Sequence, residues 1–100
     1  MDKYKIRLTP RTVQDLDGIY RYIAEKIKEP EIANNLIDTL EDAMDSLEMF
    51  PNRGAERKNG AYASKGYRQL FVKNFTIVYR VDEGHKQVIV LTVRYSMSSF

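Results

Sequence analysis

The chain contains three prolines, Pro10, Pro30 and Pro51, and they cut its first half into segments that each have room for one secondary-structure element. Proline fixes its own φ, lacks an amide proton and biases the preceding residue away from helical geometry, so each of the three marks a boundary. Before Pro10, Tyr4, Ile6 and Leu8 alternate with Lys5, Arg7 and Thr9, the pattern of a half-buried strand over about residues 3–9. Thr9 offers an N-cap hydroxyl with Pro10 at the first helical position, and Thr12 with Asp15 forms a competing capping box. Val13, Leu16, Ile19 or Tyr20, Ile23 and Ile27 then recur at spacings of three and four, which predicts a helix to about Lys28. Between Pro30 and Pro51, the residues Ile32, Leu36, Leu40, Ala43 or Met44, Leu47 and Phe50 give a second apolar stripe. The link between the two helices is short, so they read as an antiparallel hairpin.

Past Pro51 the pattern changes. Residues 51–65 hold two glycines and four basic side chains without periodicity and read as a basic loop. Three strands follow, Tyr67 to Lys73, Phe75 to Val81 and Gln87 to Tyr95. The order is βααβββ, an α+β fold with the helical hairpin packed on one face of a mostly antiparallel four-stranded sheet. A two-residue turn at Lys73-Asn74 pairs Val72 with Phe75, which sets Arg68 opposite Tyr79 and Phe71 opposite Thr76. Arg68, Leu70, Val72, Phe75, Ile77, Tyr79 and Val81 then share the more apolar face, expected to meet the helices, with a cation–aromatic contact between Arg68 and Tyr79. Tyr67, Gln69, Phe71, Lys73, Thr76, Val78 and Arg80 are left for solvent or a partner. The face of Arg94 stays open.

One hundred residues make one domain. The absence of cysteine excludes disulfides, thiolate nucleophiles and cysteine-bound metals, and with a single histidine and no Asp-x-Asp loop neither a metal nor another cofactor is expected. No apolar run approaches the roughly 20 residues that cross a bilayer, and Met1 to Arg7 lacks the hydrophobic stretch of a secretory signal, so a cytoplasmic location is expected. The formal charge of +2 hides an asymmetry: residues 1–50 carry seven basic and eleven acidic side chains, residues 51–100 nine and three. A net −4 thus faces a net +6, which suggests a polyanion- or acidic-partner-facing surface within residues 51–95.

Several stretches together resemble the RelE/ParE superfamily of toxins from bacterial toxin–antitoxin pairs: Thr9, Asp15-Leu16 with Ile19, Tyr22-Ile23, Ala33 to Phe50-Pro51 with Leu47, Tyr67-Arg68 and Val78-Tyr79-Arg80-Val81. The helical half is most similar to the ParE and plasmid-stabilisation branch. The resemblance implies a compact toxin neutralised by the C-terminal segment of a cognate antitoxin, which a free strand edge would also accept by added-strand pairing. Superfamily members divide between ribosome-dependent mRNA endonucleases and inhibitors of DNA gyrase. RelE- and YoeB-like nucleases carry an arginine three residues before the tyrosine of the Val-Tyr motif, where this chain has Thr76, and YoeB-like members end the last strand Arg-Tyr-His-Tyr, where this chain reads Arg94-Tyr95-Ser96-Met97.

Those departures bear on chemistry. Cleavage through a 2′-hydroxyl needs a proton acceptor, cationic donors to the phosphate and a donor to the leaving oxygen. Ser96 supplies no acid or base near neutral pH, and His85 sits in a predicted surface turn. The favoured reading is a toxin that binds an essential target, DNA gyrase, without RNA-cleaving chemistry of its own. A ribosome-dependent, metal-independent endonuclease acting on mRNA would have to rely on Arg68, Lys73, Arg80, Arg94 and Tyr95. Target or RNA contact falls to Arg53, Arg57, Lys58, Lys65 and Arg80, the last standing mid-strand with a structural ion pair to an acidic helix as its alternative. A non-toxic RNA-binding α+β module is the third reading.

Overall fold

The computed structural model describes residues 3–63 and 65–98. Strand β1 (Lys5–Leu8) leads into helix α1 (Pro10–Arg21), which is prolonged by a π-helical turn at Tyr22–Lys26. Helix α2 (Pro30–Asp45) closes in a 3-10 turn at Ser46–Glu48, and β2 (Ala55–Glu56), β3 (Arg68–Val72), β4 (Phe75–Asp82) and β5 (Gln87–Tyr95) complete the chain. Thr9 caps α1: its backbone is extended and its hydroxyl accepts the Thr12 amide at 3.2 Å. Thr12 and Asp15 do not form the competing capping box. The Thr12 hydroxyl donates to the Val90 carbonyl at 2.8 Å, and the Asp15 carboxylate accepts the Thr92 hydroxyl and, at 3.1 Å, the Val93 amide. The reason lies in the sheet. Strand β1 runs beside β5 only as far as Leu8 opposite Val90, and the α1 side chains satisfy the edge groups of β5 beyond that point.

The sheet has the order β1-β5-β4-β3-β2. Strand β1 pairs in parallel with β5 at one edge, and the remaining pairs are antiparallel. A fifth strand is thus added to the four expected, because Ala55 and Glu56, inside the segment read as loop, pair with Gln69 and Arg68. The β3–β4 register is the one deduced from the two-residue turn, from Val72 opposite Phe75 to Arg68 opposite Tyr79. Between β4 and β5 a bulge places Val78 opposite Thr92 and Tyr79 opposite Val90, so Leu91 is the extra residue. Its phase shift lets Val90 and Val93, three residues apart, both join the core with Leu16, Leu40, Met44, Leu47, Leu70, Ile77, Tyr79 and Val88.

Four residues of the predicted apolar stripes, Val13, Ile27, Ile32 and Phe50, are more than half exposed. Thr12 occupies the interior position beside Val13 because its hydroxyl is tied to β5. At Ile27 the amide bonds the carbonyl five residues back, at Tyr22, and the extra residue turns everything after it by about 100° from the α-helical stripe. Ala33 takes the buried place next to Ile32. Phe50 follows the 3-10 turn, where α-helical spacing no longer holds. The outer face of the sheet also differs from expectation: Thr76, Val78 and Thr92 are buried there. Residues 56–60 border it, held by the Arg57 amide on the Tyr67 carbonyl at 2.8 Å and the Arg57 guanidinium on the Gln69 side chain at 2.8 Å.

Candidate functional site

The basic segment is tied to the sheet at a corner built around Tyr79. Its side chain is fully buried, and its hydroxyl donates to the Pro51 carbonyl at 2.8 Å and accepts the Gly54 amide at 2.9 Å. Arg68 donates to the Gly54 carbonyl at 2.5 Å. A β-carbon on Gly54 would lie 2.5 Å from the Gln69 carbonyl oxygen and 2.7 Å from the Tyr79 hydroxyl, so the chain can pass here only as glycine. Burial pushes the Tyr79 phenol above its ordinary range, against the smaller pull of the Gly54 amide and the Arg68 and Arg53 charges. Tyr79 therefore stays protonated and serves as a two-handed clamp. Arg53 adds a bond to the Ser46 hydroxyl at 2.6 Å.

Beyond this corner the outer face opens into a cleft of about 400 Å³, with Thr76, Gln69 and Ser96 at its base and Lys58 and Phe71 exposed at its rim. The Thr76 and Ser96 hydroxyls bond each other at 2.8 Å. Arg57 borders the cleft but its guanidinium is buried, spent on the Ala61 carbonyl at 2.5 Å and on Gln69. Arg80 stands on the same face, exposed, with no hydrogen bond or ion pair among the described residues. The ion pair to an acidic helix considered from the sequence does not form among those residues, because Arg80 points to the side away from the helices. Lys65 is exposed in the turn before β3.

On the helix side a second depression, about 1070 Å³, runs between the end of α1, the start of α2 and the β3–β4 turn with the end of β5. Its walls are apolar: Ile19, Tyr22, Ile27, Ile32, Phe75 and Tyr95. Phe75 and Tyr95 meet edge to face with centroids 6.0 Å apart. Gly18 lies on the α1 wall, exposed, in a helix interior where glycine costs about 1 kcal/mol relative to alanine. Lys73 and Arg94 are its cationic lining residues. The register answers the question of Arg94: it pairs with Thr76, on the outer side, while its guanidinium reaches the Thr92 hydroxyl at 3.3 Å on the β5 edge.

The structure thus spreads the residues proposed for RNA cleavage over three places. Arg68 is in the Gly54 corner, Arg80 on the outer face, and Lys73, Arg94 and Tyr95 at the helix-side groove. His85 lies in an exposed turn, its Nδ1 3.0 Å from the Asp82 carboxylate. Among the described residues no group of three or more His, Cys, Asp or Glu could hold a metal ion, and no helix is long and apolar enough to cross a membrane. Gly54 and Gly18 are site-building residues that the sequence does not single out, whereas Gln69 lies on the face expected to meet solvent or a partner. A glycine in an otherwise regular helical pattern was the one available signal, at Gly18.

No curated protein matches the sequence. Among solved structures, the toxin–antitoxin system ParDE of the P. aeruginosa chromosome superposes with a TM-score of 0.75 at 24% identity, over 93% of this chain and 96% of that one. The RelBE2 toxin–antitoxin complex of Mycobacterium tuberculosis gives 0.65 at 23%, over 95% and 93%, and a YoeB/ParE toxin of Agrobacterium tumefaciens gives 0.62 at 17%, over 91% and 96%. At these identities the likeness concerns the fold. The profile of a family described as ParE toxin of type II toxin–antitoxin system, parDE, matches residues 6–100. With nearly its whole length matched, the chain belongs to the ParE toxin family of type II toxin–antitoxin systems.

Proposed function

We propose that this toxin arrests growth by binding an essential protein target, DNA gyrase, without cleaving RNA, and that a cognate antitoxin neutralises it. The observation that carries the reading is the Thr76–Ser96 hydroxyl pair at the base of the outer cleft. These are the two positions at which the resemblance to RNA-cleaving toxins calls for an arginine and a histidine. The register brings them together, so their contents can be judged as a unit. Two neutral hydroxyls bonded to each other can neither carry a phosphate's charge nor take a proton from a 2′-hydroxyl near neutral pH. Lys58 and Arg80 remain on that face as cations for steering and contact with a partner.

The test has two arms run on the same protein. Induced expression is expected to stop growth while total mRNA stays intact, and the purified toxin is expected to inhibit DNA supercoiling by gyrase. Messenger RNA cut on translating ribosomes would overturn the reading in favour of the endonuclease. If growth is unaffected by overproduction, the third reading, a non-toxic RNA-binding module, takes its place.

A further inference from the structure

The outer face of the sheet has a second region at its β1 edge, away from the Thr76–Ser96 cleft. Ile6 packs against the rim of the core, so its neighbours Lys5 and Arg7 stand on the opposite side of β1. Register then aligns three strands: Arg7 pairs with Ile89 on β5, and Ile89 pairs with Arg80 on β4. Two arginines thus flank one isoleucine, with α-carbons about 10 Å apart at two strand spacings. Both are exposed and neither makes a hydrogen bond or ion pair among the described residues, and the same holds for the Lys5 ammonium. Arg7 comes from the half of the chain with a net −4, so a division of charge along the sequence hides the pairing. Like charges on one sheet face repel, and the strand between them supplies an isoleucine where an acid would relieve them. The carboxylate two residues along β4, Asp82, is held by the Gln87 side chain at 3.2 Å and by His85 Nδ1 at 3.0 Å. A row of one sign, unopposed, suits a polyanion.

We propose that Arg7 and Arg80, with Lys5 beside them, form a contact for the phosphate backbone of duplex DNA. Guanidinium groups match phosphate oxygens in both charge and fork geometry, and the paired strands hold these two at a set separation. The surroundings argue against a single strand, whose recognition relies on free aromatic faces. Tyr67, one step beyond the Arg68–Tyr79 pair and so level with Arg80, is half-buried and meets Tyr62 edge to face, with centroids 5.4 Å apart. Phe71 is exposed on this face, but it pairs with Thr76, four residues along β4 from Arg80 and about 13 Å away. Charges without a stacking platform hold a backbone and leave the bases unread. A protein partner would need apolar anchors, and the row offers only the half-buried Ile89. The choice of DNA over duplex RNA rests on the gyrase reading above, whose target handles duplex DNA.

The probe is a short fluorescent DNA duplex of mixed sequence, titrated with the full toxin at low salt and followed by anisotropy. Three backbone contacts predict that log affinity falls against log salt with a slope of about −3. Arg7→Ala and Arg80→Ala are each expected to weaken binding about threefold to tenfold, and the double variant to flatten the slope by about 2. Arg7→Lys retains most of the affinity. Lys26→Ala, which removes one charge from the helical side, is expected to stay within about twofold. Melting temperatures of all these variants are expected to match that of the unsubstituted toxin, which separates contact from folding. Failure of the unsubstituted toxin to bind the duplex, or equal binding by the double variant, would overturn the inference. Tighter binding of RNA of the same length, lost in the double variant, would put RNA in place of DNA and overturn it too. Binding of polyglutamate but not of DNA would assign the row to an acidic protein, with the same result. No gyrase enters these titrations: a toxin that binds DNA through the row yet leaves supercoiling untouched sinks the gyrase reading alone, and one that inhibits supercoiling without binding DNA sinks the inference alone.

Discussion

The two depressions on either side of the sheet are built on opposite principles. The outer cleft is polar and tied down: its cover is clamped through Gly54 and Arg57, and its base is a closed pair of hydroxyls. The helix-side groove is apolar and open, with large side chains left in water and glycine where alanine would serve the fold better. The contrast teaches that a polar site on a small domain has to be held together by bonds within it, because each buried polar group needs a partner. An apolar site needs only to be left unfilled. The outer cleft is thus closed by its own hydrogen bonds, while the helix-side groove keeps apolar side chains exposed at the margin of the core.

Substitutions can break that contrast. The largest loss of stability is expected from Gly54→Ala, whose new β-carbon meets a carbonyl and a buried phenol; about 3 kcal/mol in urea unfolding fits the overpacking range, and a loss near zero would show the corner to be soft. Tyr79→Phe follows at about 2 kcal/mol, since it strips a partner from the Gly54 amide and the Pro51 carbonyl. Arg57→Ala should cost about 1–2 kcal/mol for its bonds to Ala61 and Gln69, and limited proteolysis should then cut within residues 56–67. On the groove side, Ile27→Ser and Ile32→Ser are expected to stay within about 0.5 kcal/mol of the parent despite removing large apolar groups. A loss of 2 kcal/mol from either would place it in the core and erase the distinction.

The smallest expected effect is one of pH. Bonds from the Gln87 side chain and from His85 hold the Asp82 carboxyl below its ordinary range. A depressed folded-state value stabilises the fold above the unfolded value and loses that contribution as pH falls through the folded one. Asp82→Asn should therefore be slightly less stable than the parent near neutrality, and the difference should vanish as pH falls below about 4, which flattens the acid limb of its stability profile. Equal acid limbs in the two proteins would mean that the turn does not hold its carboxylate.

Much of this was legible in the chain. The prolines mark the element boundaries, and the two-residue turn at Lys73-Asn74 yields the β3–β4 register residue for residue. The strand at Ala55–Glu56 was not legible, since two residues carry no period. Nor was the exposure of Ile27, because a π-turn depends on one shifted backbone bond that hydrophobic spacing does not record. The bulge at Leu91 hid the meeting of Thr76 with Ser96: both residues are plain in the sequence, but their contact depends on a pairing that slips by one between Val78 and Tyr79. Candidate charges were readable as a list and not as a place. Only tertiary structure separates Arg57, spent internally, from Arg80, left exposed.

The short reach of β1 has a consequence for life without a partner. A chain that leaves an apolar groove exposed faces a second hazard, the stacking of sheet edges into aggregates. Here one edge ends in a two-residue strand, the other carries Lys5 and Arg7 to the water, and where β1 stops the hydroxyls of Thr9 and Thr12 and the carboxylate of Asp15 occupy the backbone of β5. Strand-by-strand growth is discouraged at each of these places. Whatever the exposed apolar side chains attract, the sheet itself offers few free backbone groups on which a passing strand could build.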